Sequence, residues 1–241
     1  MGTLHRNALL LLIAHGLRVS SGFAVAVALG RSYGAESLGM FGLFSALYLI
    51  AFTGAGSGLK PLLSRDIARS PERASAYFTH SLLLGLGLSL LLALLLGLGA
   101  QVLDVLSLRY GLCMLLLWVA VGVKAHILEG LFTAYERQLL PALASLLDGL
   151  LKLAGVGWAI LSRQPLEGAI MAVIAARLGS AVLLFEGARR QLRIRWTALD
   201  SSLLHQIIRT YWVFAVISTA SILFWQLPIL LLGAFTTPIQ D

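Results

Sequence analysis

The run Leu90-Leu91-Leu92-Ala93-Leu94-Leu95-Leu96 is apolar on every face that a helix or a strand could present. A surface helix keeps a polar stripe, and a membrane barrel strand alternates apolar and polar residues. A segment with neither suits only a helix surrounded by lipid or by other apolar helices. A helix crossing a bilayer needs about 20 mainly apolar residues. Seven stretches qualify: Ala8–Leu29, Gly39–Leu59, Phe78–Gly99, Gly111–Thr133, Leu140–Leu161, Leu166–Phe185 and Trp212–Phe235. The fold class that follows is an all-α membrane protein, a polytopic helical bundle. Composition points the same way. Of 241 residues 59% are apolar and only 12% charged, with a mean hydropathy of +0.89, whereas about a quarter of a soluble domain is charged. Disorder, collagen and a coiled coil are excluded by the same numbers.

At the N-terminus, His5 and Arg6 precede an apolar stretch, and Ala24-Val25-Ala26 has the small-residue spacing of a signal-peptidase site. The apolar character resumes after Arg18 and runs to Leu29, so a retained first membrane helix is expected. The single cysteine, Cys113, cannot form an intramolecular disulfide and reads as a small buried hydrophobe.

The net charge of +7 suits loops that face anionic headgroups better than it suits nucleic acid. With the N-terminus inside, the cytoplasmic segments hold Arg6, Lys60, Arg65, Arg69, Arg73, Arg137, Arg189, Arg190, Arg193, Arg195 and Arg209. The outside loops hold Arg31, Arg109 and Arg163. This asymmetry predicts a cytoplasmic N-terminus under the positive-inside rule.

Six spans with short loops form an expected N-terminal transporter lobe over residues 1–185. A basic cytoplasmic inter-lobe loop follows over 186–211, and 212–241 is the first span of an incomplete second lobe. Asp200-Ser201-Ser202 before Leu203 reads as a helix start. The segment Leu203–Trp212 is either an interfacial helix, with Trp196, Tyr211 and Trp212 at headgroup depth, or part of a plain basic connector. Leu29-Gly30-Arg31-Ser32-Tyr33 lines up with Leu232-Gly233-Ala234-Phe235-Thr236, a short internal repeat of the kind expected between transporter lobes. A lone seventh span has no packing partners, so the chain reads as the front part of something longer.

Arg18, Lys124, Glu129, Asp148, Lys152 and Arg177 fall within the spans. Each costs roughly 2.5–3.5 kcal/mol at a helix centre, so they must face one another or water. Asp148 and Lys152 are spaced i, i+4 and can pair, with Ser145 on the same side. His15, Arg18 and Gly22 share a face of span one; His126, Glu129 and Thr133 share a face of span four. Lys124 points about 140° away from Glu129 at 100° per residue. Four cations against two carboxylates leave an interior excess of positive charge, which suits an anionic substrate. The expected cavity cations are Arg18, Lys124, Lys152 and Arg177; Glu129, Asp148 and His126 are candidates for ion or proton coupling, with charge balance as their plainer role.

Sequence signatures of an enzyme or of a cofactor site (HExxH, GxSxG, a Walker lysine, CxxC) are missing. The histidines His5, His15, His80, His126 and His205 show no i, i+4 pairing, so no metal site is expected.

Several segments carry a family resemblance. Leu29-Gly30-Arg31-Ser32-Tyr33-Gly34-Ala35-Glu36-Ser37-Leu38-Gly39-Met40-Phe41 resembles a glycine-punctuated segment of polysaccharide biosynthesis flippases. Leu63-Ser64-Arg65-Asp66-Ile67-Ala68-Arg69 is similar to their loop after span two, and Glu129-Gly130-Leu131-Phe132-Thr133-Ala134-Tyr135-Glu136-Arg137 to the segment between spans four and five. Leu38 departs from the usual aromatic residue, and Ala55-Gly56-Ser57-Gly58 lacks an acidic residue that many members carry. The resemblance to these Wzx-like oligosaccharide flippases implies two six-helix lobes around a cavity open alternately to each side. It implies a polyprenyl-diphosphate-linked oligosaccharide substrate at the cytoplasmic (inner) membrane, coupling to an ion gradient, other polysaccharide assembly proteins as partners, and no cofactor or covalent chemistry. The alternatives are a multidrug antiporter of the same superfamily, which would favour acidic residues in its cavity, a membrane-bound glycan polymerase or acyltransferase, and a non-transporting assembly protein or nonfunctional truncated product.

Single cysteines at Ser70 and Ser201 are expected to resist an impermeant thiol reagent in intact cells, while one at Ser32 reacts. Equal labelling at all three positions would overturn the orientation.

Overall fold

The structure, a computed structural model, describes residues 2–102 and 111–235. Arg109 and Thr236 lie outside the described residues, and with them one outside cation and the end of the internal repeat. No strand occurs among the described residues. The elements are α1 (Gly2–Gly56), α2 (Leu59–Arg69), a 3-10 turn (Pro71–Arg73), α3 (Ala74–Val102), α4 (Gly111–Ala134), α5 (Leu139–Leu161), α6 (Leu166–Gln191) and α7 (Ser201–Phe235). Six of the described helices are long and apolar enough to cross a membrane.

The first of these is two crossings joined at an elbow. At 1.5 Å per residue, a straight α1 would run about 80 Å, far beyond the ~30 Å hydrocarbon layer. Gly34 breaks it, with φ 86° and ψ 178°, a conformation open essentially to glycine alone. Contacts prove that the arms fold back. A continuous helix would hold Arg18 and Lys60 about 60 Å apart, yet both bond the carboxylate of Glu129, at 3.0 and 3.1 Å. At the elbow Tyr33 donates to the Gln164 carbonyl at 2.9 Å, which fixes the hinge against the α5–α6 turn. With α1 counted as two arms, the described residues hold seven long helical segments, one on each of the seven apolar stretches.

Helix α4 is the hub. Leu115, Val119, Val123, Ile127, Leu128 and Leu131 are buried along it, and it packs against α1, α2, α3 and α6. Small residues let the neighbours approach closely, as membrane bundles require. A Cβ on Gly85 of α3 would lie 2.8 Å from Val123, 2.9 Å from Leu59 and 3.0 Å from Ile127. One on Gly155 of α5 would lie 2.9 Å from Ala172 of α6.

Several boundaries differ from expectation. The basic loop expected over 186–211 is confined to 192–200, because α6 continues through Glu186–Gln191 and α7 begins at Ser201. Leu203–Trp212 is not a separate interfacial helix; it is the opening of α7, with Leu203, Ile207 and Tyr211 buried. Asp200 caps α7 as read: its Oδ1 accepts from the Ser202 amide at 2.9 Å and the Ser202 hydroxyl at 2.7 Å. Those bonds hold its carboxyl below the usual aspartate range. The cations Lys60, Arg65 and Arg69, read as loop residues, lie on the amphipathic α2. Cys113 is exposed rather than buried, because it lies on the outer side of α4, so the labelling experiment above needs a Cys113→Ser background.

The connector is strapped down. Ser75, Thr79 and His80 of α3 accept the backbone N–H groups of Arg195 (3.2 Å), Thr197 (3.3 Å) and Asp200 (2.8 Å). His80 accepts through Nε2, so Nδ1 carries the proton and donates to the Ala76 carbonyl at 2.8 Å. Beyond Tyr211, whose hydroxyl donates to the Gly54 carbonyl, α7 turns mostly apolar exposed side chains outward, among them Val216, Ile217, Phe224 and Trp225.

A matched pair of substitutions tests the packing. Gly85→Ala should destabilise the protein by about 1–3 kcal/mol through overpacking. Gly87→Ala, where nothing lies within 4 Å, carries the same helix-propensity gain of about 1 kcal/mol without the clash. Thermal unfolding in detergent should rank Gly85→Ala below the parent and Gly87→Ala at or above it; equal midpoints would refute the packing account.

Candidate functional site

A cavity of about 610 Å³ opens between the two arms of α1 and helices α4, α5 and α6. Arg18 comes from the first arm, Arg177 from α6, and Asp148 and Lys152 from α5. The second arm supplies Phe41, Tyr48 and Phe52, spaced so that they share one helix face. Trp118 of α4 stacks on two of them, its ring centroid 4.2 Å from that of Tyr48 at 13° and 6.5 Å from that of Phe41 at 27°. One wall is therefore cationic and the other aromatic.

The cationic wall is organised by Glu129, 4% exposed at its side chain. Arg18 Nη2 lies 3.0 Å from Oε1, Arg177 Nη2 3.4 Å from Oε1, and Lys60 Nζ 3.1 Å from Oε2. His126 Nδ1 stands 3.8 Å from Oε2, and its ring meets Phe52 edge-on. Arg18 also donates to Ser145 at 3.1 Å. Beside this cluster Lys152 Nζ pairs with Asp148 Oδ2 at 2.5 Å, the i, i+4 pair expected on α5. The other Asp148 oxygen and Arg18 Nε have no hydrogen-bond partner. Three cations on one carboxylate, beside the Lys152–Asp148 pair, leave a local excess of two positive charges.

Arg18 also borders a second cavity of about 130 Å³, shared with His15, Lys60, Glu129, Gln138 and Ser145. The Arg18–Glu129 pair thus stands between a large and a small polar space. Gln138 Oε1 is buried there without a partner, so this space suits a few water molecules.

Of the residues singled out from sequence, Arg18, Lys152, Arg177 and Asp148 meet at the large cavity, while Glu129 and His126 lie against its cationic wall. Lys124 does not join them: its ammonium lies 5.0 Å from the centroid of the Phe185 ring, on another side of α4. The 140° offset from Glu129 already pointed it there. Lys60, which borders the small cavity rather than the large one, is instead the third cation on Glu129. It follows the second apolar stretch directly, so it reads as a loop charge, and nothing in the spacing ties it to Glu129. The aromatic face of Phe41, Tyr48 and Phe52 is visible in the spacing but indistinguishable there from ordinary membrane-helix packing. The described residues bring together no cluster of His, Cys, Asp and Glu able to hold a metal ion.

The family described as polysaccharide biosynthesis protein matches residues 4–239, and the chain belongs to that family. Among solved structures it is similar to a MOP superfamily transporter from Pyrococcus furiosus, described as having a binding pocket of reverse polarity that suggests a different function. The identity is 18% and the TM-score 0.69, over 95% of this chain and 54% of that one. It is similar also to a MATE protein in a bent conformation, at 19% identity and a TM-score of 0.68 over 95% and 55% of the two chains. A third is an outward-facing multidrug resistance MATE family transporter of the MOP superfamily, at 18% and 0.66 over 95% and 54%. At these identities the likeness is one of fold. The chain spans about half the length of each of these structures. No curated protein sequence matches it.

Asp148 is 1% exposed and, among the described residues, loses its only ion partner if Lys152 is removed. Lys152→Ala should cost about 3–5 kcal/mol, the penalty for leaving a buried charge alone. Adding Asp148→Ala should recover most of that loss. Thermal midpoints of the two variants check this, and a double variant no more stable than Lys152→Ala would show that the two residues are not coupled.

Proposed function

We propose that this member of the polysaccharide biosynthesis family is the N-terminal part of an exporter that flips a polyprenyl-diphosphate-linked oligosaccharide across the cytoplasmic membrane, with its N-terminus inside. The observation that carries the reading is the large cavity with an excess of guanidinium and ammonium groups on one wall and stacked aromatic rings on the other. A diphosphate headgroup cannot cross roughly 30 Å of hydrocarbon unaided. Arginine forks suit phosphate oxygens, and aromatic faces suit the apolar faces of sugar rings, while the prenyl tail stays in lipid.

Glu129 gives the empty site its counter-charge. A diphosphate offers more oxygens than one carboxylate, so it competes for Arg18 and Arg177 while Glu129 keeps Lys60. Rocking of one lobe against the other then exposes the cavity to the far side. Glu129, Asp148 and His126 are the groups suited to ion or proton coupling. No step requires covalent chemistry. Other polysaccharide assembly proteins would supply and consume the lipid-linked glycan. A multidrug antiporter taking organic cations is disfavoured by the positive excess at the cavity.

In the full-length protein, Arg18→Ala and Arg177→Ala should each lower glycan export about tenfold or more, since a hydrogen bond to a charged group is worth about 1.5–3 kcal/mol. Protein abundance should hold, because Glu129 keeps two cations after either loss. Lysine at these positions should restore export in part, keeping charge without the bidentate fork. Export at the parent rate by both alanine variants would remove the cationic-cavity reading and leave these charges as contacts between helices.

A further inference from the structure

A further cavity, of about 270 Å³, lies away from this site, where α3 and α6 meet the strapped connector. Its apolar lining is Phe78 of α3, Phe185 and Ala188 of α6, and Ile194. Its charged lining is Arg189 and Arg195, and no acid lines it. Trp196 closes one edge, 5.9 Å from the Phe78 ring and itself 63% exposed. The wall formed by the connector is held in place by the Ser75, Thr79 and His80 bonds to its backbone.

The charges around it are unbalanced. Glu186 pairs with Arg189 at 3.0 Å and with Arg190, but Arg193 and Arg195 have no carboxylate within ion-pair distance among the described residues. The Lys124 ammonium, not itself part of the lining, stands 5.0 Å from the centroid of the Phe185 ring. It too has no such carboxylate, so it adds to the positive potential at the cavity. An exposed tryptophan beside arginines at the ends of crossing helices is the pattern of headgroup depth.

We infer that this cavity is a binding site for the headgroup of an anionic phospholipid. The phosphodiester would meet Arg189 and Arg195, the glycerol would rest on Phe78, Phe185 and Trp196, and the acyl chains would stay in the bilayer. The volume lies just below the roughly 300–1,000 Å³ of small-molecule pockets, which fits a headgroup rather than a whole lipid. Basic pockets between membrane helices at the interface take such headgroups. The inference needs only the position of the cavity at an interface and does not depend on what the protein transports.

The test is lipid retention by the detergent-purified chain, read by native mass spectrometry and by thermal stability with added dioleoyl-phosphatidylglycerol or dioleoyl-phosphatidylcholine. Phosphatidylglycerol should be retained preferentially and should stabilise the protein. Arg195→Ala should weaken its binding about fivefold, the worth of one basic residue at an anionic surface. Trp196→Ala should weaken it without changing the charge. Arg190→Ala, outside the lining and paired with Glu186, should leave it nearly unchanged. Equal losses from Arg190→Ala and Arg195→Ala would reduce the effect to general surface charge and overturn the site. Stabilisation by inorganic phosphate equal to that by phosphatidylglycerol would assign the cavity to a free anion and overturn the lipid reading.

Discussion

One buried carboxylate fixes the arrangement of this bundle. Glu129 on the hub helix α4 accepts from Arg18 on the first arm of α1, Lys60 at the start of α2 and Arg177 on α6. Each of these charges alone would cost several kcal/mol at membrane depth, so none tolerates a packing that leaves it unpaired. Apolar helices in lipid gain little by exchanging one apolar neighbour for another. Against that weak background, a four-member ion cluster singles out one way to set three elements around α4.

The hairpin follows from the same constraint. Arg18 and Lys60 reach one carboxylate only if α1 reverses, and Gly34 supplies the backbone conformation for the reversal. With the arms antiparallel, the aromatic face of the second arm lies across from Arg18. The cavity therefore depends on the elbow: the first arm of α1 brings Arg18 and the second arm brings Phe41, Tyr48 and Phe52, while α4, α5 and α6 close the sides and complete both walls. Close approach at Gly149, against Ser21 of the first arm, and at Gly155, against Ala172 of α6, keeps the α5 side tight.

Local features were legible in the sequence. The seven apolar stretches, the Asp148–Lys152 pair and the Asp200 cap all depend on residues within one helix or one turn, where the spacing sets the geometry. The divergence of Lys124 from Glu129 was legible for the same reason. What stayed hidden required a partner from another helix. Arg18 and Arg177 have no acid within one turn, and their shared partner lies 111 and 48 residues away. Lys60 looked like a loop cation because hydropathy marks where an apolar run ends, not where a long side chain reaches back. The ends of α6 and α7 were read short because their last and first turns are polar, as helix ends at an interface are free to be. His80 gave no sign of its role, since its acceptor function appears only once the connector folds back along α3.

Interior charges in a membrane bundle can serve as glue between helices or as a site, and donor capacity helps separate the two. An isolated buried pair closes on itself when donors and acceptors match. Here Arg18, Arg177 and Lys60 together offer about thirteen N–H donors, while a carboxylate has about four lone-pair sites. Ser145 takes one donor, and Arg18 Nε is left with none to bond. The excess faces two cavities rather than packed side chains. A purely structural cluster would gain by trading one of these cations for an apolar residue. A cluster that must receive an anion gains by keeping donors in surplus, with one carboxylate to hold them apart from each other while the site is empty.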